Sequence, residues 1–180
     1  MGHNGWPDSV GQPVLELCMT KIRDAQEADF NAILQLNAGE EVQTSAMDRE
    51  KLVVLHGLAS HHRVAEVNGQ IAAFILVMRE TARYQSENFT WFSSRYPRFL
   101  YIDRIVVAQR FGGRKIGSAL YTDLMGAARA DGVNLLVCEY NLDPPNPASK
   151  AFHARFGFAE VGTQRVANGA KLVSLQAAHI

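Results

Sequence analysis

Residues 99–121 read FLYIDRIVVAQRFGGRKIGSALY. Phe99 to Val107 is rich in β-branched and aromatic residues, the composition of a buried strand. From about Lys115 the apolar residues Ile116, Ala119, Leu120 and Leu124 recur at helical spacing. Between strand and helix lie Gly112, Gly113, Arg114 and Lys115, with Gly117 one turn in. A glycine-rich loop that opens a helix aims several backbone N–H groups, and the positive end of the helix dipole, at one point. That arrangement binds phosphate. Arg110, Arg114 and Lys115 add full charges around it.

Spacing narrows the ligand class. Lys115 is followed by Ile116 rather than Ser or Thr, which excludes a Walker A loop. Glycines at 112, 113 and 117 do not fit the G-x-G-x-x-G dinucleotide fingerprint. Val107 to Leu120, V-A-Q-R-F-G-G-R-K-I-G-S-A-L, resembles the acyl-CoA pyrophosphate loop of the GNAT superfamily of N-acetyltransferases, V-x-P-x-x-R-G-x-G-I-G-x-x-L. Gly113, Ile116, Gly117 and Leu120 match without a gap. Gly112 stands where the family carries Arg or Gln, and Lys115 where it carries Gly. Lys115 must therefore adopt a backbone shape normally given to Gly, or reach its side chain to the phosphates. A second segment, N-P-A-S-K-A-F-H-A-R-F-G-F at 146–158, is similar to the family's N-x-x-A-x-x-x-Y-x-x-x-G-F, with His153 in place of the Tyr. Cys138 to Pro147 resembles the C-E-x-N-x-x-P-P-N-P stretch of a bacterial set of predicted acetyltransferases.

The resemblance implies an acetyl-CoA-dependent N-acetyltransferase that moves an acetyl group directly to a primary amine, with acetyl-CoA as co-substrate and no metal. It implies that the pantetheine arm lies along Ile105, Val106 and Val107, with the N–H near Val106 polarising the thioester carbonyl. Gly112, Gly113, Arg114, Lys115, Ile116 and Gly117 would hold the pyrophosphate, and Asn146 and Ser149 the pantetheine. The amine must lose a proton, since a free alkyl ammonium titrates near pH 10. Two carboxylates are candidates for the base, Asp103 the first choice as base or proton relay and Glu139 its rival. Asp103 shares a face with Tyr101, Ile105 and Val107 in a regular strand; its bland alternative is a salt bridge. Glu139 lies among apolar residues on the neighbouring strand, where a carboxylate is costly unless paired or functional. His153 is placed to protonate the departing thiolate, or to pack on the cofactor. The departures at Gly112, Lys115 and His153 leave a second reading, a catalytically inactive CoA-binding or sensing domain of the same fold. Nucleotide binding by a doubly wound sheet is a weaker reading, because it needs strands and helices to alternate and residues 62–107 read as strands without intervening helices.

The remaining chain is read around this core. At 180 residues, 47% of them hydrophobic, one domain with a full core is expected over 15–180, after a loosely ordered segment at 1–14. Lys plus Arg equals Asp plus Glu at 18 each, so no global charge points to nucleic acid or a membrane. The N-terminus lacks a signal-peptide pattern, so a cytoplasmic protein is expected. Cys18 and Cys138 sit in apolar runs and suggest no disulfide framework. His61-His62 would point to opposite faces of a strand and gives no metal motif. Met19, Met47, Met78 and Met125 read as core.

The periodicity predicts a strand at 15–23, a helix at 24–36 capped by Asp24, and a helix at 45–58 capped by Ser45. It predicts a hairpin at 62–78 turning on Asn68-Gly69, a long loop to 97, strands at 99–107 and 134–141, and helices at 115–130 and 147–156. A last hairpin turns near Asn168-Gly169. This is an α/β (α+β) order: a mixed, mostly antiparallel GNAT-like sheet of about seven strands with a central parallel pair, flanked by about four helices. Tyr84, Phe89, Trp91, Phe92 and Tyr96 in the long loop would line an acceptor pocket or form a homodimer contact. Glu40 and Glu41 would suit a cationic amine or simply water, so the acceptor is a small-molecule or peptide amine of open identity.

Overall fold

The computed structural model describes residues 20–180. The expectations for residues 1–14, for the start of the first strand and for Cys18 and Met19 fall outside that range. A seven-stranded sheet runs in the order β1-β2-β3-β4-β5-β7-β6. The strands are β1 (Thr20–Asp24), β2 (His61–Val67), β3 (Gln70–Arg79), β4 (Leu100–Val107), β5 (Leu135–Asp143), β6 (Ala159–Val166) and β7 (Lys171–His179). Every neighbouring pair is antiparallel except β4 and β5. The helices are α1 (Phe30–Ala38), α2 (Arg49–Leu58), α3 (Glu87–Ser93), α4 (Ile116–Ala130) and α5 (Pro147–Ala154).

Two apolar layers sandwich the sheet. On one face Phe30, Ile33, Leu52, Leu55, Phe89 and Phe92 of α1, α2 and α3 pack on Phe74, Leu76 and Met78. On the other, Ile116, Leu120, Tyr121 and Leu124 of α4 pack on Ala73, Ile75 and Val77. β3 is buried on both faces over Ala72 to Met78 and reads as an unbroken apolar run from Ile71 to Met78, IAAFILVM, as a central strand must. Each such side chain contributes roughly 1.5–3 kcal/mol by leaving water. The Asn68-Gly69 turn has φ 50° and 74°, the left-handed pair that the shortest hairpin requires. Met47 and Met78 are buried and Met125 packs against the core, as expected.

Three local expectations are corrected. Asp24 ends β1 and pairs with Arg63, and the first helical turn starts at Glu27, where Asp29 accepts from the Gln26 N–H. Asp48, not Ser45, caps α2, accepting from the Lys51 N–H at 2.8 Å. Both are good capping residue types, and tertiary contacts chose between them: Ser45 is engaged by Arg104 instead. The long loop contains a fifth helix, α3, whose aromatic-rich sequence lacks a helical stripe. Phe89 and Phe92 pack tilted and edge-on against Phe99 and Tyr101 inside the core, and Trp91 lies under Gly162. The aromatic density is therefore mostly core rather than pocket wall.

The correction that matters most for the site is in β4. Its pairing with β3 runs Arg104↔Leu76, then Ile102↔Val77, so Asp103 has no partner and forms a β-bulge. An extra residue flips the alternation. Leu100 and Ile102 face the α4 layer and so do Ile105 and Val107, whereas Tyr101 and Val106 face the other. Tyr101, Asp103, Ile105 and Val107 do not share one face.

Candidate active site

β4 and β5 are held together only by Leu100↔Leu136 and Tyr101↔Val137; beyond these pairs they part. The gap opens a cavity of about 570 Å³. Ile102 to Val107 form one wall and Cys138 to Asn141 the other. Of the residues singled out in the sequence, Asp103, Glu139, His153, Ile105, Val106, Val107, Gly112, Gly113, Lys115, Ile116, Gly117, Asn146 and Ser149 all line it. Arg114 does not; its guanidinium lies over the Phe111 ring, 5.5 Å from the centroid, as does that of Arg110 at 5.0 Å.

One end of the cavity is the glycine-rich loop. Gly113 has φ 76° and Lys115 φ 60°, so Lys115 takes the left-handed shape that the family gives to Gly. A Cβ on Gly113 would meet nothing within 4 Å, and no side chain caps the first turn of α4. Its backbone N–H groups are therefore free of side-chain competition at the cavity mouth, an anion cradle in kind. The residues present fit a pyrophosphate. Gly117 acts through packing instead. A Cβ there would stand 3.3 Å from the Phe152 ring and 3.5 Å from Val107, so Gly117 lets α4 start tight against β4 and α5.

Along the cavity, Asn146 caps α5 by accepting from the Ser149 N–H at 3.0 Å. His153 is 4% exposed. Its Nδ1 lies 2.8 Å from the Ser149 carbonyl oxygen, which can only accept, so Nδ1 carries the proton. Nε2 then accepts from the Tyr121 hydroxyl at 2.8 Å. Burial pushes the imidazole below its ordinary value, and the ring is neutral. Both nitrogens are engaged within the fold.

The two carboxylates differ sharply. Asp103 is gripped from both sides: Tyr84 donates to Oδ1, and Arg104 Nε donates to Oδ2 at 2.6 Å. Glu139 accepts from the Tyr101 hydroxyl at 2.9 Å through Oε1, while its enclosed Oε2 has no hydrogen-bond partner. Burial, and then the nearby Asp103 charge, push Glu139 up to about 8, with Tyr101, Asn88 and Arg104 pulling the other way. Asn88, Tyr101 and Arg104 were not legible as site residues, and Tyr84 only as one of five loop aromatics. Their signal was the run of tyrosines and charges flanking the bulge, which means nothing until β4 and β5 diverge.

The far end is lined by Glu40, Gln43, Thr44, Asn88 and Lys171; Glu41 is not among its walls. His61 and His62 point apart, His61 toward Asp131 at 3.9 Å and His62 into the core against Phe30 and Phe74. Among the described residues no three His, Cys, Asp or Glu side chains are grouped to hold a metal ion, and no helix is long and apolar enough to cross a membrane.

Comparison with known proteins agrees with this geometry. Residues 20–158 match the model of the Acetyltransferase (GNAT) family. A 61-residue stretch is 44% identical to a phosphinothricin N-acetyltransferase of Streptomyces coelicolor; the match spans 34% of this chain and 34% of that protein, about a third of the relative's length. In fold, the chain resembles Ard1 from Thermoplasma volcanium (TM-score 0.73, 16% identity, 89% of this chain and 97% of the other). It also resembles YncA from Salmonella typhimurium, solved with its cofactor acetyl-CoA (TM-score 0.68, 18% identity, 89% and 94%). The split between β4 and β5, the glycine cradle at the start of α4 and the family match over 20–158 together establish that the chain belongs to the GNAT acetyltransferase family.

Proposed function

We propose that this protein is an acetyl-CoA-dependent N-acetyltransferase that transfers acetyl directly to a primary amine, with Glu139 as the general base. The observation that carries the reading is Glu139 itself: an enclosed carboxylate on the cavity wall, with Oε2 unpartnered, titrating at about 8. A group poised near neutrality is what proton abstraction at physiological pH requires. A domain that only senses CoA has no need of one.

In this reading the backbone of Ile105 to Val107 lies along the pantetheine, and the Val106 N–H points to the developing oxyanion. The Glu139 carboxylate takes a proton from the ammonium, leaving a neutral amine. The amine nitrogen attacks the thioester carbon, the C–N bond forms, and the C–S bond breaks. The thiolate takes up the proton that the new amide nitrogen loses, so the products are a neutral amide and CoA thiol. Asp103, already spent on Tyr84 and Arg104, is the weaker candidate. His153 serves as a packing and hydrogen-bonding element under the cofactor groove.

The test is release of CoA thiol from acetyl-CoA against a panel of amines: amino acids, polyamines, amino sugars and peptide N-termini. Amine-dependent release that falls at least a hundredfold in Glu139→Gln supports the reading, since general-base catalysis contributes roughly 10²–10⁴-fold. Binding of acetyl-CoA with no release against any amine overturns it in favour of a sensing domain.

A further inference from the structure

The Arg104 side chain follows the bulge in β4 and is 6% exposed. Its guanidinium makes a fork of contacts: Nε to Asp103 Oδ2 at 2.6 Å, Nη1 to Asn37 Oδ1 at 2.8 Å, and Nη2 to Ser45 Oγ at 3.3 Å. Asn37 is fully buried at the end of α1 and donates to the Ser45 carbonyl at 2.9 Å. Arg104 thus joins the bulge to the segment 37–45, whose Glu40, Gln43 and Thr44 form the far wall of the cavity.

Several ionisable groups bear on Glu139: Tyr101, Asp103 and Arg104 from β4, Tyr84 from the segment before α3, Tyr121 from α4, and Cys138 beside it on β5. The three tyrosines and the thiol are all pushed up and stay neutral at pH 7. Glu40, Lys171 and the neutral His153 lie on the cavity wall. Among the described residues, the two acid and base partners that act on Glu139 are Asp103, which raises it, and Arg104, which lowers it by less.

We propose that Arg104 is a positioning residue for Glu139: by pairing with Asp103 at the bulge and tying it to Asn37 and Ser45, it offsets part of the negative charge that Glu139 would face from a lone carboxylate. The catalytic meaning of this rests on Glu139 being the base, but the electrostatic claim can be tested without turnover.

The experiment is an NMR titration of the glutamate side-chain carboxyl carbons in labelled protein. The Glu139 resonance is identified by its loss in Glu139→Gln. Asp103→Asn leaves Arg104 uncompensated and lowers the Glu139 midpoint by on the order of one pH unit. Arg104→Ala leaves Asp103 uncompensated and raises it by a similar amount. The double change Asp103→Asn with Arg104→Leu removes both charges and brings the midpoint back up from that of Asp103→Asn toward the wild-type value. Arg104→Lys keeps the charge and keeps the midpoint.

Arg104→Ala buries an unpaired carboxylate and is the variant most prone to unfold. The double variant buries no lone charge, so its comparison with Asp103→Asn stands by itself. The proposal is overturned if Asp103→Asn, the double variant and wild type share one midpoint, or if Arg104→Lys raises it as far as Arg104→Ala does. Failure of the base assignment is a separate result: undiminished turnover in Glu139→Gln, whatever the midpoints.

Discussion

Glu139 makes rate and stability move in opposite directions over the same pH range. With a midpoint near 8, about one-tenth of the carboxyl is ionised at pH 7 and about nine-tenths at pH 9. If the ionised carboxylate takes a proton from a bound ammonium that itself titrates near 10, kcat/KM rises about tenfold per pH unit up to about 8 and then levels off toward 10. Stability follows the opposite course. Folding raises the carboxyl from its ordinary 4.5 to about 8, so the folded state holds the proton more tightly. The resulting stabilisation is fully present below pH 4.5 and is lost as pH rises through 8, a difference on the order of 5 kcal/mol. Glu139→Gln removes both effects. Its rate should be lower and track the free amine alone, rising tenfold per unit to about pH 10 with no break near 8. Its melting temperature should exceed that of wild type at pH 8 by more than at pH 5. The assays are CoA thiol release from pH 6 to 9.5 at saturating acetyl-CoA, and thermal melts in the same buffers. A wild-type profile with the same shape as the Gln variant would refute the assignment.

Three further outcomes are expected. Lys115→Gly relieves a left-handed residue and should stabilise the fold by about 0.5–1 kcal/mol without weakening acetyl-CoA binding, read by melting with and without ligand; weakened binding would give the lysine side chain a role at the phosphates. His153→Phe strips the Tyr121 hydroxyl of its acceptor and should cost about 1–3 kcal/mol in denaturant unfolding, while the pH break at about 8 stays where it is; a displaced break would mean that His153 shares in proton transfer. His62 is buried against Phe30 and Phe74 and pushed down to about 4 by desolvation and then by His56. A depressed base of this kind leaves stability intact above 6.5 and drains it as pH falls toward 4, by on the order of 3 kcal/mol; His62→Phe should flatten acid unfolding in that window, and an unchanged acid limb would contradict the assignment.

The order of elements, the central apolar strand Gln70–Arg79 and the phosphate loop are legible from the chain alone. Each is written in local chemistry: β-branched runs, an Asn-Gly turn, and glycines at fixed spacing before a helix. The family resemblance added the cavity walls, and of the residues it assigned to catalysis or cofactor binding all but Arg114 line one cavity. The rest depends on contacts between residues far apart in the chain. Ser45 and Asp48 are equal as caps until Arg104, from a strand formed 59 residues later, takes Ser45. The aromatics of 84–96 are loop residues until Phe99 and Tyr101 give them a core to enter. Asp103 and Glu139 are two candidate bases in a regular strand pair. A single unpaired residue in β4 separates them, because the bulge delivers Asp103 to Tyr84 and Arg104 and turns Tyr101 toward Glu139. A bulge is a property of register between two strands, and alternation within one strand carries no trace of it.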